Sequence, residues 1–201
     1  MEKTQNYWRD YFTRSVLDAT NKIERIDNFP IYGITFLNWF PIMKNPDLFN
    51  LVIGTFVDMI REDLDVMPDC IVAVEARGFL IGPQIAERLR AELVCSRRPS
   101  KLPGSITFAD QKTEYGDNLL AIQKGSVTGK KVLVIDDVLA TMGTAGCIDE
   151  LVKKDGGEII GVAGLIDLLY CPKVFKPKYP VISLYSLQDP KSEFTFSKEI
   201  K

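Results

Sequence analysis

The 201-residue sequence contains no histidine. That absence excludes Ser-His-Asp and Cys-His nucleophilic sites and the usual His-bearing zinc centres. Any chemistry must run on carboxylates, amines, guanidinium groups, hydroxyls or backbone amides. Cysteine is scarce: Cys70, Cys95, Cys147 and Cys171 stand far apart, with no CxxC pair. Such spacing argues against a disulfide framework and for reduced thiols in a cytoplasmic protein. Neither charge dominates, since 25 Lys and Arg face 27 Asp and Glu, so the basic stripe of a nucleic-acid partner is missing. Long apolar runs are missing as well. The longest, Ile159 to Ile166, is interrupted by two glycines, whereas a spanning helix needs about 20 apolar residues. The opening MEKTQNYWRD is polar, which is not the pattern of a secretory signal.

What remains is an ordinary globular composition, 46% hydrophobic and 26% charged. A chain of this length reads as one domain with its own core. Residues 5 to 27 carry Trp8, Tyr11, Phe12, Val16 and Ile23 at helical spacing, and the aromatic stretch from there to Pro41 reads as loop. Asn45 and Pro46 fit the cap and first position of a helix whose apolar face includes Leu48, Val52, Phe56 and Ile60. CIVAV at 70–74 reads as a strand buried on both faces, and LVC at 93–95, KVLVI at 131–135, Ile159 to Ile166 and Val181 to Tyr185 read as further strands. Helical periodicity separates them, at 79–90 and from Cys147 to a stop at Gly156 and Gly157. Alternating strands and helices predict a mainly parallel central sheet flanked by helices. Residues 97–117 are polar, with little apolar period, and read as a long mobile loop.

In such a sheet, ligands sit beyond the carboxyl ends of the strands. The segment VLVIDDVLATMGTA (132–145) runs a buried strand into Asp136 and Asp137. A turn of small and hydroxyl residues follows, from Ala140 through Thr141, Met142 and Gly143 to Thr144, and then a helix. Backbone amides and a helix start in that arrangement suit an anion. The bland alternative is a plain strand-to-helix turn with solvated acids. A Walker A loop is absent. At another strand end, EARGFLIG (75–82) places Ala76 and Arg77 beside a glycine, which suits pyrophosphate. A surface Arg paired with Glu75 is the alternative. A third segment carries Arg97, Arg98 and Lys101, which can neutralise a polyphosphate or form a solvated charge run.

These motifs resemble those of the type I phosphoribosyltransferases, and EARGFLIG is similar to the pyrophosphate loop of the adenine-using members in particular. The resemblance implies that fold, with residues 1–45 as an N-terminal helix and small base-binding hood, and residues 97–117 as a flexible catalytic loop. It implies that Asp136 and Asp137 take the ribose hydroxyls of phosphoribosyl pyrophosphate (PRPP) and that residues 140–144 cradle its 5′-phosphate. Ala76, Arg77, Arg98 and Lys101 would contact pyrophosphate. RRPSKLPG…TEYG is similar to the family's lid, which makes Glu114 the acid/base group and Tyr115 the residue closing over the reacting centre, with Arg77 a third catalytic group. FPIYGITF with Pro41 and Pro46 resembles the family's hood, in which Thr35, Phe36 and Leu37 flank the base. Leu168, just after the fourth strand, would close the other face.

The implied reaction is adenine plus PRPP giving AMP and pyrophosphate, in purine salvage, by a homodimer. Mg²⁺ would be held mainly by substrate rather than by protein ligands. Three departures from the family pattern stand out. Leu37-Asn38 replaces Arg-Asp, Ser100 replaces a glycine, and Met142 replaces a glycine in the phosphate cradle. They keep two other readings open: another purine base, or a non-catalytic PRPP-binding regulator. At Met142 the expectation is a negative φ, with the side chain turned away from phosphate, because left-handed backbone costs a side-chain-bearing residue about 1–2 kcal/mol.

Overall fold

A computed structural model of the chain describes residues 14–109 and 120–197. Its centre is a six-stranded sheet. Five of the strands are parallel: β3 (Cys70–Val74), β4 (Glu92–Ser96), β7 (Lys131–Leu139), β8 (Glu158–Leu168) and β9 (Val181–Leu187). The short β10 (Thr195–Phe196) closes one edge antiparallel to β9, an edge that two residues could not announce in sequence. Across the sheet the order is β10-β9-β8-β7-β3-β4.

Side chains alternate across the strands. Ile71, Leu133 and Ile135 enter one core cluster, Cys70, Val72, Val132 and Val134 the other. On the first face lie helices α2 (Pro46–Asp63) and α3 (Gly82–Leu89), on the second α4 (Gly143–Lys154). The α2 start is as expected: the Asn45 side chain accepts from the Leu48 amide at 3.1 Å, and Pro46 occupies the first turn. At the end of α4 lie Lys153 and Lys154, then Gly156 at φ 83°.

Four expectations about boundaries need correction. The N-terminal helix does not continue to residue 27. It gives way to a 3-10 turn at Ala19–Lys22 and then to β1 (Glu24–Asp27). Strand β1 pairs antiparallel with β2 (Thr35–Asn38), inside the stretch read as loop, and a one-turn helix α1 (Phe40–Met43) follows. The tertiary pairing overrides helical spacing that rested on a single residue, Ile23. Secondly, Arg77–Leu80 is a 3-10 turn rather than the start of a helix. Thirdly, β7 and β8 run further than their apolar runs, so Asp136 and Asp137 lie within β7 and Leu168 within β8.

Lastly, the segment after Arg97 is not structureless. Strand β5 (Ile106–Phe108) pairs antiparallel with β6 (Ala121–Gln123). The ribbon is moored by the buried carboxylate of Asp155, which accepts from the Thr107 hydroxyl at 2.7 Å and the amides of Gly125 and Val127 at 2.8 and 3.2 Å. Residues 110–117 of the proposed mobile loop lie outside the described residues.

Replacing Asp155 with Ala strands these donors in a buried site. Each orphaned buried donor costs about 1–3 kcal/mol. Urea unfolding of Asp155→Ala is therefore expected to show a loss of at least about 2 kcal/mol, and a loss under about 0.5 kcal/mol would contradict the mooring role.

Candidate active site

Strand β7 outruns its neighbour on one side. Its pairing with β3 ends at Ala73↔Ile135, whereas β8 stays paired through Leu139↔Asp167. The space beside Asp136 and Asp137 is filled by the turn Arg77–Leu80. Gly78 makes this possible: a Cβ there would lie 2.7 Å from the Ile135 carbonyl oxygen. Only a glycine lets the turn lie against β7, and that approach brings Arg77 to the acids.

The two acids differ in role. Asp137 is 2% exposed. Its Oδ2 accepts from the Trp39 indole Nε1 at 2.7 Å and lies 3.1 Å from Arg77 Nε. The Arg77 guanidinium also sits over the Phe36 ring, 4.8 Å from its centroid. The chain Trp39–Asp137–Arg77–Phe36 thus joins the hood to the strand end. Asp136 is half-buried and faces a pocket lined by Val138 and residues 139–145. Its Oδ1 accepts the Asp137 amide at 2.9 Å. Burial, then the adjacent Asp137 carboxylate, push the Asp136 carboxyl up from its ordinary value. The site thus holds a second charge at its mouth only at some energetic cost.

Beyond the acids the chain turns through Ala140 to Thr144 into α4. Met142 has φ 66° and ψ 9°, which corrects the expected negative φ. The cradle keeps the left-handed turn that a glycine would give. The Met side chain is turned into the core beside α4, 5% exposed. Burying a Met is worth roughly 1.5–3 kcal/mol, enough to offset about 1–2 kcal/mol of left-handed strain. The Gly143 amide leans on Thr141 Oγ1 at 3.4 Å. Among the described residues the Thr141 and Met142 amides donate to no protein acceptor, and the first turn of α4 adds its own open N–H groups.

Glu75 does not pair with Arg77. Its carboxylate takes the Arg97 guanidinium at 2.8 and 3.2 Å and the Arg98 amide at 3.0 Å, and these bonds hold it below the usual carboxylate range. Arg97 is thereby a brace between the strand ends, whereas Arg98 and Lys101 extend from an exposed turn. Ala76 opens the Arg77 turn, exposed. In the hood, the Thr35 hydroxyl donates to Asp27 Oδ1 at 2.8 Å, and Phe36 packs edge-on against Phe29. Leu37 points to the opposite face and is 3% exposed, so only its backbone faces the hood side. Leu168 is buried near the end of β8. Glu114 and Tyr115 lie outside the described residues.

Two residues escaped the sequence reading. Trp39 follows the aromatic hood segment, and nothing local ties its indole to an acid 98 positions away. Lys173 lies in the β8–β9 connection, beneath the cradle. The Pro-flanked, basic composition of that connection gave no chemical signal.

Comparison with known proteins places this geometry. A family model described as the phosphoribosyl transferase domain matches residues 39–188. The adenine phosphoribosyltransferase of Thermosipho melanesiensis is 39% identical over 170 residues, covering 84% of this chain and 95% of the relative. That of Debaryomyces hansenii is 37% identical over 165 residues, covering 80% and 87%. The solved adenine phosphoribosyltransferase of Saccharomyces cerevisiae, complexed with an imino-altritol bisphosphate and adenine, superposes with a TM-score of 0.77 at 32% identity, covering 85% of this chain and 98% of that one. The Trypanosoma brucei enzyme, in complex with AMP, pyrophosphate and ribose-5-phosphate, gives 0.74 at 25% identity, covering 86% and 79%.

The chain is a glycosyl-transferring enzyme of the phosphoribosyltransferase family. Within that family it belongs to the adenine phosphoribosyltransferases.

The raised carboxyl of Asp136 sets a pH-dependent stability. Its contribution is fully present below the unfolded carboxyl value, about 4, and is lost as pH rises through the higher folded value. Asp136→Asn keeps the bond to the Asp137 amide and removes the charge. Thermal unfolding should then show a midpoint raised by at least about 2 °C at pH 7–8, as about 1 kcal/mol gives in a chain this long. The gain should vanish near pH 4. An equal gain at both pH values would remove charge burial as the cause.

Proposed function

We propose that the chain transfers the phosphoribosyl group of PRPP to adenine, releasing pyrophosphate and yielding AMP. The observation that carries this is the strand end of β7. Asp136 and the amide-lined turn 140–144 line one pocket, and the adjacent Asp137 holds the Arg77 guanidinium beside them. The relatives, by name adenine phosphoribosyltransferases, support the choice of base.

Asp136 accepts hydrogen bonds from ribose hydroxyls at the pocket mouth, and Asp137 holds Arg77 while closing the ribose site from behind. The amides of residues 140–144 and the start of α4 bind the 5′-phosphate. As the anomeric C–O bond breaks, positive charge grows on the ribose ring and negative charge on departing pyrophosphate. Arg77, Arg98 and Lys101 stabilise the leaving group, and Glu114 handles the purine proton with Tyr115 closing over the centre. Phe36 and Leu168 sandwich the base.

The donor set suits a cation that keeps substrate ligands. No cluster of three or more metal-binding side chains exists among the described residues, and Asp137 is committed to Trp39 and Arg77. Asp136 would be the protein contact to substrate-held Mg²⁺, which supplies charge neutralisation on the pyrophosphate.

The departures lose force as arguments for other readings. Asn38 is spent within the hood, donating to Glu24 Oε2 at 2.6 Å, and Met142 keeps the turn of a glycine. All four cysteines are free thiols, which suits a cytoplasmic protein. Among the described residues no helix is long and apolar enough to cross a membrane. The homodimer is what the family resemblance implies.

Labelled adenine with PRPP and Mg²⁺ should yield AMP, with hypoxanthine and guanine at least about 100-fold poorer. Asp136→Asn should lower kcat/KM by about 10- to 100-fold, the worth of one charge-assisted hydrogen bond. Equal use of hypoxanthine would contradict the choice of base, and no turnover of any base would contradict the enzyme.

A further inference from the structure

We propose that Lys173 is a positioning residue for the phosphate cradle: it turns the cradle's carbonyls away from the ligand so that the amides face it. The proposal rests on the functional reading above, that residues 140–144 bind a 5′-phosphate.

The β8–β9 connection reaches under the cradle at consecutive residues. Lys173 Nζ donates to the Leu139 carbonyl at 3.1 Å, the Ala140 carbonyl at 2.6 Å and the Leu168 carbonyl at 3.1 Å, and it lies 2.5 Å from Asp167 Oδ1. The next residue, Val174, donates its amide to the Thr141 carbonyl at 2.9 Å. The one after, Phe175, lies against Gly146 in the first turns of α4, where a Cβ would be 3.1 Å from the ring.

A trans peptide is planar, so its N–H points opposite to its C=O. Carbonyls 139, 140 and 141 are all drawn toward residues 173 and 174. The amides of Ala140, Thr141 and Met142 therefore point away from that connection, and these three residues line the pocket. An anion there meets N–H groups rather than carbonyl oxygens. Without the clasp, each peptide plane could rotate and present a lone pair to the phosphate. The ammonium also offsets carbonyl charge directly behind the site. Asp167 fixes the ammonium in place, while the carbonyl bonds do the orienting.

The test is calorimetry of ribose 5-phosphate, AMP and adenosine on the full chain. Lys173→Met keeps the stem and removes every donor. It should weaken ribose 5-phosphate and AMP at least about tenfold and leave adenosine within about twofold. In turnover, KM for PRPP should rise at least about tenfold, with kcat changed less than threefold. A folded Lys173→Met that binds ribose 5-phosphate like wild type, or that loses AMP and adenosine in parallel, overturns the proposal. Asp167→Asn keeps the carbonyl bonds and removes the counter-charge. Its affinity for ribose 5-phosphate should stay within threefold or tighten, and a tenfold loss overturns the proposal even if Lys173→Met fails to fold. Wild-type protein that binds neither ribose 5-phosphate nor AMP contradicts the functional reading itself, whatever the variants do.

Discussion

An ionised carboxylate shut off from solvent survives only where donors and an opposite charge replace its water. Asp137 meets that condition with groups from two remote parts of the chain, the Trp39 indole and the Arg77 guanidinium. Each partner is in turn held by others. Trp39 is 1% exposed and packs on Phe40 and Phe49, and Arg77 is sandwiched between the carboxylate and Phe36. The Trp39 segment, the Arg77 turn and the end of β7 therefore share one anchoring atom, Asp137 Oδ2. A displacement of any one of them leaves a buried charge short of a donor, so the three move together or not at all.

The unequal lengths of the strands create the room for this arrangement. Because β3 stops while β7 continues beside β8, the acids keep ladder support on one side and meet the Gly78 turn on the other. The site has an electrostatic grain as a result. Negative charge is concentrated along β7, and open amides and guanidinium flank it on both sides. A substrate with hydroxyls in the middle and phosphates at two ends fits such an alternation. The half-exposed Asp136 carries the cost, its carboxyl pushed up by burial and by its neighbour; occupation by ligand hydroxyls or a cation would relieve it.

Much of this is legible from residues alone. Continuous apolar runs mark the inner parallel strands because both faces of the sheet are covered there. Asp136-Asp137 and the small residues after them mark the site because few structural needs put paired acids at the end of a buried strand. What is illegible depends on distance or on backbone direction. Strand β1 exists because β2 is there to pair with it, and the ribbon of β5 and β6 because Asp155 gathers its donors. Met142 departs from expectation for a related reason: local sterics argue against positive φ, and only the tertiary core shows what its side chain gains. The pairing of Arg97 rather than Arg77 with Glu75 likewise follows from the parallel alignment of β3 with β4, which sets Glu75 beside the start of the loop.

The coupling through Asp137 is open to a direct measurement, a double-mutant cycle between Trp39→Phe and Asp137→Asn read in kcat/KM for PRPP. Removing the indole N–H should matter when the carboxylate is present and matter little once it is gone. The account predicts a coupling of at least about 1 kcal/mol, within the range of residues sharing one hydrogen-bond network. Effects that add to within about 0.3 kcal/mol, as independent sites do, would contradict the claim that hood and strand end are held by one carboxylate.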